Sequence, residues 1–371
     1  MLNSLSINKA PKDTKIVVAM SGGVDSSTVA ALLKEQGYDV IGITLQLYDH
    51  GEAISKGSKT CCAGVDILDA KKVAEKFGFP HYILNYETLF RESVIDDFAD
   101  SYLRGETPIP CIKCNQSVKF KDLLKVAKDL NADALATGHY VQRKVGKNGA
   151  ELHKAFDTNK DQSYFLFTTT KAQLDFIRFP LGGWTKEQTR KEAIRLGLEI
   201  ADKPDSQDIC FVPDGDYAKV IAKIRPTAFK HGEIIDLQGK VLGTHDGIIN
   251  YTIGQRRGIG IAHKDPLYVV KIDALKNQVI VGLEADLQKQ KLSIKDLNWL
   301  IDENLLNKPI LANVRLRSTQ KEVEAKIIVN RDKNIAEIEL LAPIKSITPG
   351  QACVIYDGEM VMGGGWIINH E

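Results

Sequence analysis

Long apolar runs are missing from this chain of 371 residues. No stretch approaches the ~20 apolar residues that a membrane-spanning helix needs. Residues 1–14 also lack the apolar core of a signal peptide. We therefore expect a cytoplasmic protein in which residues 1–14 form a disordered leader before the first strand.

A strong charge of one sign is missing as well. The 49 Lys and Arg residues nearly balance the 48 Asp and Glu residues, which leaves a net charge of +1. A basic surface of the kind that binds nucleic acid must therefore be local rather than spread over the whole protein.

Cysteine is scarce, and its use indicates reactive or metal-binding thiols rather than a disulfide framework, because cytoplasmic thiols stay reduced. The six are Cys61, Cys62, Cys111, Cys114, Cys210 and Cys353. Cys111 and Cys114 form a C-x-x-C pair without a second pair of Cys or His at zinc-finger spacing, which argues against zinc. An iron–sulfur cluster held by Cys111, Cys114 and Cys210 remains an alternative.

The remaining three cysteines carry less information. Nothing near Cys353 suggests a partner, so we expect inert burial there. The same holds for Cys61 and Cys62, except that they follow the second predicted strand and are candidates to neighbour a site at its end.

Two common nucleotide-binding motifs are absent, and a third is present. The chain has no Gly-Lys-Ser/Thr of a Walker A loop at its first glycine turn and no G-x-G-x-x-G there. Instead, Ser21-Gly22-Gly23-Val24-Asp25-Ser26-Ser27 joins the apolar strand 16–20 to a helix predicted over 28–36. Glycines let the backbone approach a ligand, and a helix N-terminus offers unpaired N–H groups to an anion. The loop resembles the S-G-G-x-D-S loop of the PP-loop ATP pyrophosphatases, which implies ATP as cosubstrate.

The order of strand and helix signals predicts the fold. Residues 15–140 alternate between them, which indicates a doubly wound parallel sheet with ligands at the carboxyl ends of its strands. Helices are expected over 65–77, 90–104 and 117–130, the last capped by Asn115, and over 185–196 behind a capping box. Beyond Pro213 short strands indicate a small β-rich domain and then a β-barrel. The expected domains are 1–214, 215–283 and 284–371.

Local context suggests chemistry for three residues. The helix predicted after Cys114, with Lys113 and Lys119 nearby, should lower the pKa of a thiol. Cys210 lies in a polar loop, and a pair of thiols suits sulfur delivery through a persulfide. His139 follows Gly138 at the end of a strand, where a binding or acid–base role competes with simple surface polarity.

Further motifs converge on one family. Together with the glycine loop and Cys111–Asn115, the segments 136–140, 161–166, 206–211 and 251–258 resemble those of tRNA-specific 2-thiouridylases, and 350–352 does so more weakly. The matches span residues 16–355 in the order found in that family.

The resemblance implies an ATP site and a reaction. Its residues would be Ala19, Met20, Ser21, Gly22, Gly23, Val24, Asp25, Ser26 and Gly138, with Leu45 on the adenine side. With Mg²⁺, ATP would adenylate O2 of the wobble uridine in tRNAs for Lys, Glu and Gln and release pyrophosphate. The activated C2 then accepts sulfur, because its oxygen has become a leaving group.

The resemblance also assigns the cysteines. Cys210 would carry the persulfide and Cys114 would be the nucleophile, with a Cys114–Cys210 disulfide left for reduction. The sulfur would come from a cysteine desulfurase or a relay protein. Some members of the family carry Asp, cast as a general acid or base, where this chain has Cys111. That departure puts the acid–base role in doubt and supplies a third thiolate for a 4Fe-4S cluster.

Several residues are implied to contact tRNA. They are Ile109, Pro110, Cys111, Lys160, Asp161, Gln162, Arg256, Arg257, Arg315, Leu316 and Gln351. Between Lys219 and Lys264 the chain has eight Lys or Arg against three Asp or Glu, which fits a phosphate-facing surface and equally a solvated one. Arg315 and Arg317 should share one face of a strand.

Three rivals remain from the sequence. A GMP synthetase-like enzyme would lack paired reactive cysteines and would need a source of ammonia. A tRNA cytidine thiolase would place its cluster cysteines differently and lack the trailing β domains. A non-catalytic RNA-binding protein would have no need for an intact loop and the pair Cys114 and Cys210.

Overall fold

The computed structural model describes residues 2–48, 63–205, 209–212 and 215–368. The chain divides into two compact units. The first comprises residues 1–93, 111–215 and 359–361, and the second comprises 94–110, 216–358 and 362–371. Cys61, Cys62 and residues 206–208 of the predicted cysteine loop lie outside the described residues.

The strands of the first unit are β1 Lys15–Ala19, β2 Asp39–Gln46, β3 His81–Asn85, β4 Ala134–Ala136, β5 Gln142–Gly146, β6 Gly149–His153 and β7 Ile177–Arg178. The later strands are β8 Gly232–Ile235, β9 Val241–His245, β10 Tyr268–Asp273, β11 Gln278–Gly282, β12 Gln288–Trp299, β13 Ile310–Arg315, β14 Val323–Asn330, β15 Ile335–Lys345, β16 Ala352–Asp357 and β17 Met360–Ile367.

The helices are α1 Val24–Glu35, α2 Ala63–Phe77, α3 Glu87–Phe90, α4 Asp96–Leu103, α5 Pro110–Lys113, α6 Leu124–Asp129, α7 Lys171–Phe176, α8 Lys186–Arg195 and α9 Tyr217–Ile224. Two π-helical segments, Arg91–Ile95 and Cys114–Leu123, join α3 to α4 and α5 to α6. Over the described part of the chain, none of the helices has both the length and the apolar character needed to cross a bilayer.

The first unit is built on the predicted parallel sheet, whose strand order is β3-β2-β1-β4-β7. Ile16, Val17 and Val18 of β1 are fully buried, as a continuous apolar run in a parallel sheet requires. The chain builds outward from β1 through β2 to β3 and then returns to the other side of β1 with β4. The carboxyl ends of β1 and β4 therefore flank a topological switch point, where open α/β sheets bind ligands.

Two helix starts differ from their prediction. Helix α1 begins at Val24, four residues before Thr28, because the turn at Gly22 and Gly23 is complete that early. The helix expected from Ser117 begins instead at Pro110, whose fixed φ suits a first helical position. Asn115 is therefore not a cap: it lies inside the helix and donates from Nδ2 to the carbonyl of Phe165 at 3.2 Å.

Two parts of the first unit were not predicted. Strands β5 and β6 form an antiparallel hairpin. The N-terminal segment is also not the disordered leader that its polar composition suggested. Leu5 is buried, its carbonyl accepts from Arg178, and the side chain of Asn3 accepts from the amides of Leu5 and Ile7.

The second unit contains the predicted β-rich domain and barrel. In the former the strand order is β10-β11-β8-β9, with β8 and β11 parallel and the other pairs antiparallel. Ile234, Val269 and Val279 are among the residues of its core. In the barrel the order is β12-β15-β14-β13-β16-β17, and pairing of Ile294 with Ile367 closes the six strands by joining β12 to β17.

Candidate active site

The glycine loop lies at the switch point between β1 and α1. Gly22 has φ +73°, and a Cβ there would lie 2.0 Å from the carbonyl oxygen of Asp66. Gly138 follows β4, and a Cβ on it would lie 2.8 Å from the amide nitrogen of Ser26. Both positions therefore need glycine, for conformation at the first and for close backbone approach at both. The result is a 12-residue helix whose N-terminal amides and dipole face the loop, an arrangement that suits an anion.

Hydroxyl groups hold the loop in shape. Ser26 Oγ accepts from the amide of Ser21 at 3.0 Å and lies 3.1 Å from Ser21 Oγ. The amide of Met20, itself buried, donates to the carbonyl of Ile43 at 2.8 Å. Ala19 ends β1, and the half-buried Leu45 lies near the carboxyl end of β2. The predicted ATP residues on β1, β2 and the loop thus lie at the same edge of the sheet.

Asp25 is held by two residues that the sequence did not single out. Lys186 Nζ lies 2.7 and 2.8 Å from its two carboxylate oxygens, and the hydroxyl of Tyr140 donates to it at 2.8 Å. Lys186 also lies 2.7 Å from Asp205 Oδ1. Burial and the neighbouring Asp25 carboxylate raise the pKa of Tyr140, so its hydroxyl stays protonated and able to donate.

Lys203 supports the loop from another side. Its ammonium donates to the carbonyl of Gly22 at 3.1 Å and to Asp66 and Asp69 at 2.6 Å each. Burial acts to lower the pKa of Lys203, but the two carboxylates outweigh it and raise that pKa. The loop is therefore held between two lysine–carboxylate clusters, one around Lys186 and one around Lys203.

The three cysteines of the candidate reaction lie in the first unit. Cys114 is buried, whereas Cys111 and Cys210 are exposed. The thiols are close enough that Cys114 and Cys111 both act to raise the pKa of Cys210. The sequence thus correctly brought together residues that lie about a hundred positions apart in the chain.

The predicted lowering of the thiol pKa is wrong for the protein alone. Surrounding protein atoms desolvate all three sulfurs and raise the pKa of Cys111, of Cys114 and, to about 12, of Cys210. Lys119 acts in the opposite direction on each but does not outweigh burial. Cys114 is also the fifth residue of its helix, so its thiol is not at the N-terminus where a dipole would favour the thiolate.

The described residues around these thiols do not form a metal-ligand set. Within the described ranges, no three His, Cys, Asp or Glu side chains are placed together so that they would hold one metal ion. As they are placed here, Cys111, Cys114 and Cys210 do not fit the ligand set of an iron–sulfur cluster.

His139 is neutral in this environment. Its Nδ1 lies 2.9 Å from Thr137 Oγ1, and the edge of its ring packs against Phe120 at 5.8 Å between centroids. Burial, reinforced by the charge of Lys119, lowers its pKa to about 3. The imidazole can therefore accept or donate a hydrogen bond, but at neutral pH it is not a protonated acid.

In the first unit, several residues that the resemblance places against tRNA form hydrogen bonds or ion pairs with other protein groups. Lys160 donates to Asp205 Oδ2 at 2.7 Å. Asp161 accepts from the amides of Ala155 and Ser163, and Gln162 Oε1 accepts from the amide of Tyr140 at 2.9 Å. These contacts shape the turn itself and leave a tRNA role for it as a prediction.

In the second unit, some of the residues implied to contact tRNA are bound to protein groups or buried. Arg315 is not a free cation, because it pairs with Glu322 at 2.8 Å and stacks over Tyr356 at 5.1 Å, and Leu316 is only 2% exposed. Arg317 is likewise bound, to Ser346 and Thr348. Both guanidiniums bind protein groups here, and a phosphate-facing role for this pair stays a prediction.

The other candidates of the second unit differ in their exposure. Arg256 and Arg257 are exposed, and within the described part of the chain neither guanidinium has an ion pair. Gln351 is half-buried and donates from Nε2 to the carbonyl of Thr107 at 2.7 Å. Ile109 is half-buried and Pro110 is buried.

The local excess of positive charge is smaller than the count of residues 219–264 suggested. Lys219 pairs with Asp216 at 2.8 Å, and Arg225 pairs with Asp96 at 2.9 Å and with Asp100 at 2.8 Å. All three carboxylates lie outside the counted range, so the count overlooked them.

Comparison with known proteins agrees with this architecture. Residues 14–214 match the model of a tRNA methyl transferase HUP domain, 218–283 that of a tRNA methyl transferase PRC-barrel domain, and 289–367 that of an aminomethyltransferase beta-barrel domain. A solved complex of a 4-thiouridine synthetase with RNA and ATP aligns at 21% identity over 54% of this chain and 46% of that one, with a TM-score of 0.36.

Full-length relatives are much more similar. The tRNA-specific 2-thiouridylase MnmA of Rickettsia conorii is 61% identical over 361 residues, which cover 97% of either chain. That of Rickettsia felis is also 61% identical, over 97% of this chain and 98% of its own. With the glycine loop at the switch point and the three thiols in the same unit, these relatives establish that the chain belongs to the family of tRNA-specific 2-thiouridylases.

Proposed function

We propose that this protein is a tRNA-uridine 2-sulfurtransferase that thiolates the wobble uridine of tRNAs for Lys, Glu and Gln. One observation carries the proposal: a glycine loop shaped for phosphate and a group of mutually interacting thiols belong to the same compact unit. Activation by ATP requires the phosphate-binding loop, and transfer of sulfur requires the thiols. Methyl transfer, named in two of the matching domain descriptions, would use neither.

The first step is adenylation. Uridine O2 attacks the α-phosphorus of ATP, the bond to the β-phosphate breaks, and pyrophosphate leaves. The amides at the start of α1 and the loop residues from Ala19 to Ser26 hold the phosphates, with Gly138 against them and Leu45 on the adenine side. Mg²⁺ would arrive on the phosphates. Asp25 is the carboxylate of the loop, but both of its oxygens lie within hydrogen-bond distance of Lys186 Nζ, so as it is placed here it does not fit as a ligand of that ion.

The second step transfers sulfur. The terminal sulfur of a persulfide on Cys210 attacks C2, and AMP leaves with the former O2. The thiolate of Cys114 then attacks the sulfur that belongs to Cys210 itself, which breaks the S–S bond and leaves 2-thiouridine. A Cys114–Cys210 disulfide forms, and a two-electron reductant must restore both thiols before the next turnover.

The electrostatics of the thiols suit this order of events. Because burial raises the pKa of Cys114, it remains a protonated and poor nucleophile in the absence of substrate. Cys210 is exposed, as acceptance of sulfur from a cysteine desulfurase or relay protein requires. Cys111 stands beside them and does not act as a base at neutral pH, since its pKa is also raised and its thiol stays protonated.

Recognition of tRNA would rest on the exposed Arg256 and Arg257 for phosphate and on a wobble base turned out of its stack. Ile109, Pro110, Cys111, Gln351 and the turn 160–162 are further candidates. The functional division would follow the domains 1–214, 215–283 and 284–371, with catalysis in the first. The reaction would take place in the cytoplasm.

Nucleoside mass spectrometry tests the proposal. A glutamate tRNA transcript is incubated without oxygen with ATP, Mg²⁺ and a cysteine desulfurase, using metal-free enzyme in one arm and enzyme given iron and sulfide in the other. We expect 2-thiouridine at the wobble position with metal-free enzyme, its loss in Cys210→Ser and its retention in Cys111→Ser. Product only from the iron-loaded arm, with loss in Cys111→Ser, would assign the three thiols to a cluster. No 2-thiouridine in either arm would overturn the assignment.

A further inference from the structure

A lysine joins the ATP loop to the segment that leads to Cys210. Lys186, at the first position of α8, has its ammonium 2.7 Å from Asp25 Oδ1 and 2.7 Å from Asp205 Oδ1. The side chain is only 11% exposed. Asp25 belongs to the first turn of α1, inside the loop, and Asp205 precedes Cys210 by five residues in the chain.

The segment 201–205 is attached to the site by more than this bridge. Asp205 also accepts from Lys160 and Arg190, and Arg190 donates to the carbonyls of residues 201 and 203. Lys203 in turn donates to the carbonyl of Gly22. Two side chains of this short segment therefore reach the ATP loop. Lys203 contacts the loop directly, and Asp205 does so through Lys186.

Cys210 is also held on its other side. The hydroxyl of Tyr48, just after β2, donates to the carbonyl of Cys210 at 3.0 Å. The next residue, Phe211, packs its ring edge against Phe90 at 5.9 Å between centroids. The chain is therefore held at Cys210 and Phe211 themselves and, five residues earlier, at Asp205.

Stability alone does not account for these buried charges. Taking an ammonium and two carboxylates out of water costs about as much as their attraction returns, so a buried pair is weak evidence for stability, and its best-supported use is to specify one arrangement. The arrangement specified here is that of the segment 201–205 relative to the glycine loop. Burial by itself raises the pKa of Asp205, but Lys160 and Lys186 outweigh it and lower that pKa, so the carboxylate is charged at neutral pH.

We propose that Asp205 is a positioning residue that, bridged by Lys186 to Asp25, fixes Cys210 relative to the ATP loop. The inference rests on the proposed function and adds a spatial requirement to it. Cys210 must keep one position relative to the ATP loop during both adenylation and sulfur transfer. Without the bridge the adenylate still forms, but the persulfide is out of place. An error of about 1 Å in such an approach can lower a rate by as much as ~100-fold.

The test compares two products in the same reaction. Pyrophosphate release that depends on tRNA reports adenylation, and 2-thiouridine reports sulfur transfer. In Asp205→Asn we expect the 2-thiouridine formed per pyrophosphate to fall about tenfold or more, with the KM for ATP little changed. Asp205→Glu, which keeps the carboxylate, should recover much of the ratio. Lys186→Met should lower the ratio too and also raise the KM for ATP, whereas Lys186→Arg should restore part of both.

Lys191→Ala is the matched control, because Lys191 lies on the same helix in an exposed pair with Glu187. It should leave both products unchanged. Equal losses of pyrophosphate release and thiolation in Asp205→Asn would mean a structural role and overturn the proposal, as would an unchanged ratio. If the unmodified enzyme releases pyrophosphate but forms no 2-thiouridine, the proposed function fails, independently of the variants.

Discussion

A methyl group on Gly138 would lie 2.8 Å from the amide nitrogen of Ser26. The contact joins the end of β4 to the first turn of α1, two elements that are separated by about a hundred residues in the chain. It shows why a glycine follows this strand: a side chain at 138 would displace the first turn of the helix from its place.

Gly138→Ala should therefore weaken ATP binding while the protein remains folded. We expect the KM for ATP in tRNA-dependent pyrophosphate release to rise about tenfold, a loss of ~1.4 kcal/mol. Gly183→Ala is the control, since nothing lies within 4 Å of a Cβ at that position. An unchanged KM in Gly138→Ala would mean that the loop does not hold the phosphates.

Lys119 should set the reactivity of the thiols. It is a positive charge that acts to lower the pKa of Cys111, Cys114 and Cys210 against the effect of burial. In Lys119→Met we expect the alkylation of Cys210 by iodoacetamide at pH 8 to slow several-fold, up to about tenfold for each unit of pKa gained. The pH profile of the modification rate, followed by peptide mass spectrometry, measures the shift.

Lys121→Met provides the comparison for this variant, because Lys121 is an exposed lysine of the same helix and does not act on the thiols. Equal rates in Lys119→Met and the unmodified protein would contradict the electrostatic account of the site.

We expect the ion pairs of Asp205 to make the stability of the folded protein depend on pH. Because Lys160 and Lys186 lower its pKa in the folded state below the ordinary value of 3.8, its contribution is complete above about pH 4. That contribution is lost as the pH falls through the folded pKa. The difference in melting temperature between the protein and Asp205→Asn should thus be largest near pH 7 and shrink below pH ~4.

Asp202→Asn, an exposed neighbour without a hydrogen bond or ion pair in the described residues, should show no such trend. A difference for Asp205→Asn that stays constant down to pH ~2 would mean that its ion pairs do not contribute to stability.

We expect the arginines of the second unit to serve two different purposes: Arg315 stabilises the barrel, whereas Arg256 and Arg257 bind tRNA. Arg315→Ala leaves the half-shielded Glu322 without its partner and uncovers Tyr356, so we expect the barrel to lose about 1–3 kcal/mol in urea unfolding. Arg256→Ala with Arg257→Ala should leave stability unchanged. It should weaken tRNA binding and reduce the slope of log K against log salt by about 1 for each lost phosphate contact.

The opposite pattern would reverse these roles. If Arg315→Ala keeps its stability but loses tRNA affinity, the guanidinium must leave Glu322 to bind RNA, as the family resemblance implies. Filter binding at several salt concentrations distinguishes the two outcomes.

The sequence was a reliable guide where the signal is local. The apolar run before Ser21, the paired glycines and the helix after them specify a strand, a turn and a helix N-terminus through backbone conformation alone. The capping box at Thr185 and Gln188 also forms as predicted. The parallel sheet and the barrel followed from the order and spacing of such local elements.

What the sequence could not give depends on tertiary contacts. Nothing in its neighbourhood marks Lys186, which reads as an ordinary first-turn residue, yet its partners Asp25 and Asp205 come from distant parts of the chain. Desolvation of the sulfurs by surrounding protein atoms, which reverses the predicted direction of their pKa shift, is likewise a property of the folded unit. Asn115 was misread because a polar residue before a helical pattern resembles a cap, although here it bonds to Phe165 from inside the helix.

The most direct test of the account follows one sulfur atom through a single turnover. Cys210 is first charged by a desulfurase with isotopically labelled sulfur, the donor is removed, and ATP, Mg²⁺ and tRNA are added to metal-free enzyme. We expect the label to leave Cys210 and to appear in 2-thiouridine in equal amount, with a disulfide formed between Cys114 and Cys210. Label that remains on Cys210 while pyrophosphate is released, or 2-thiouridine that forms without it, would contradict the persulfide route.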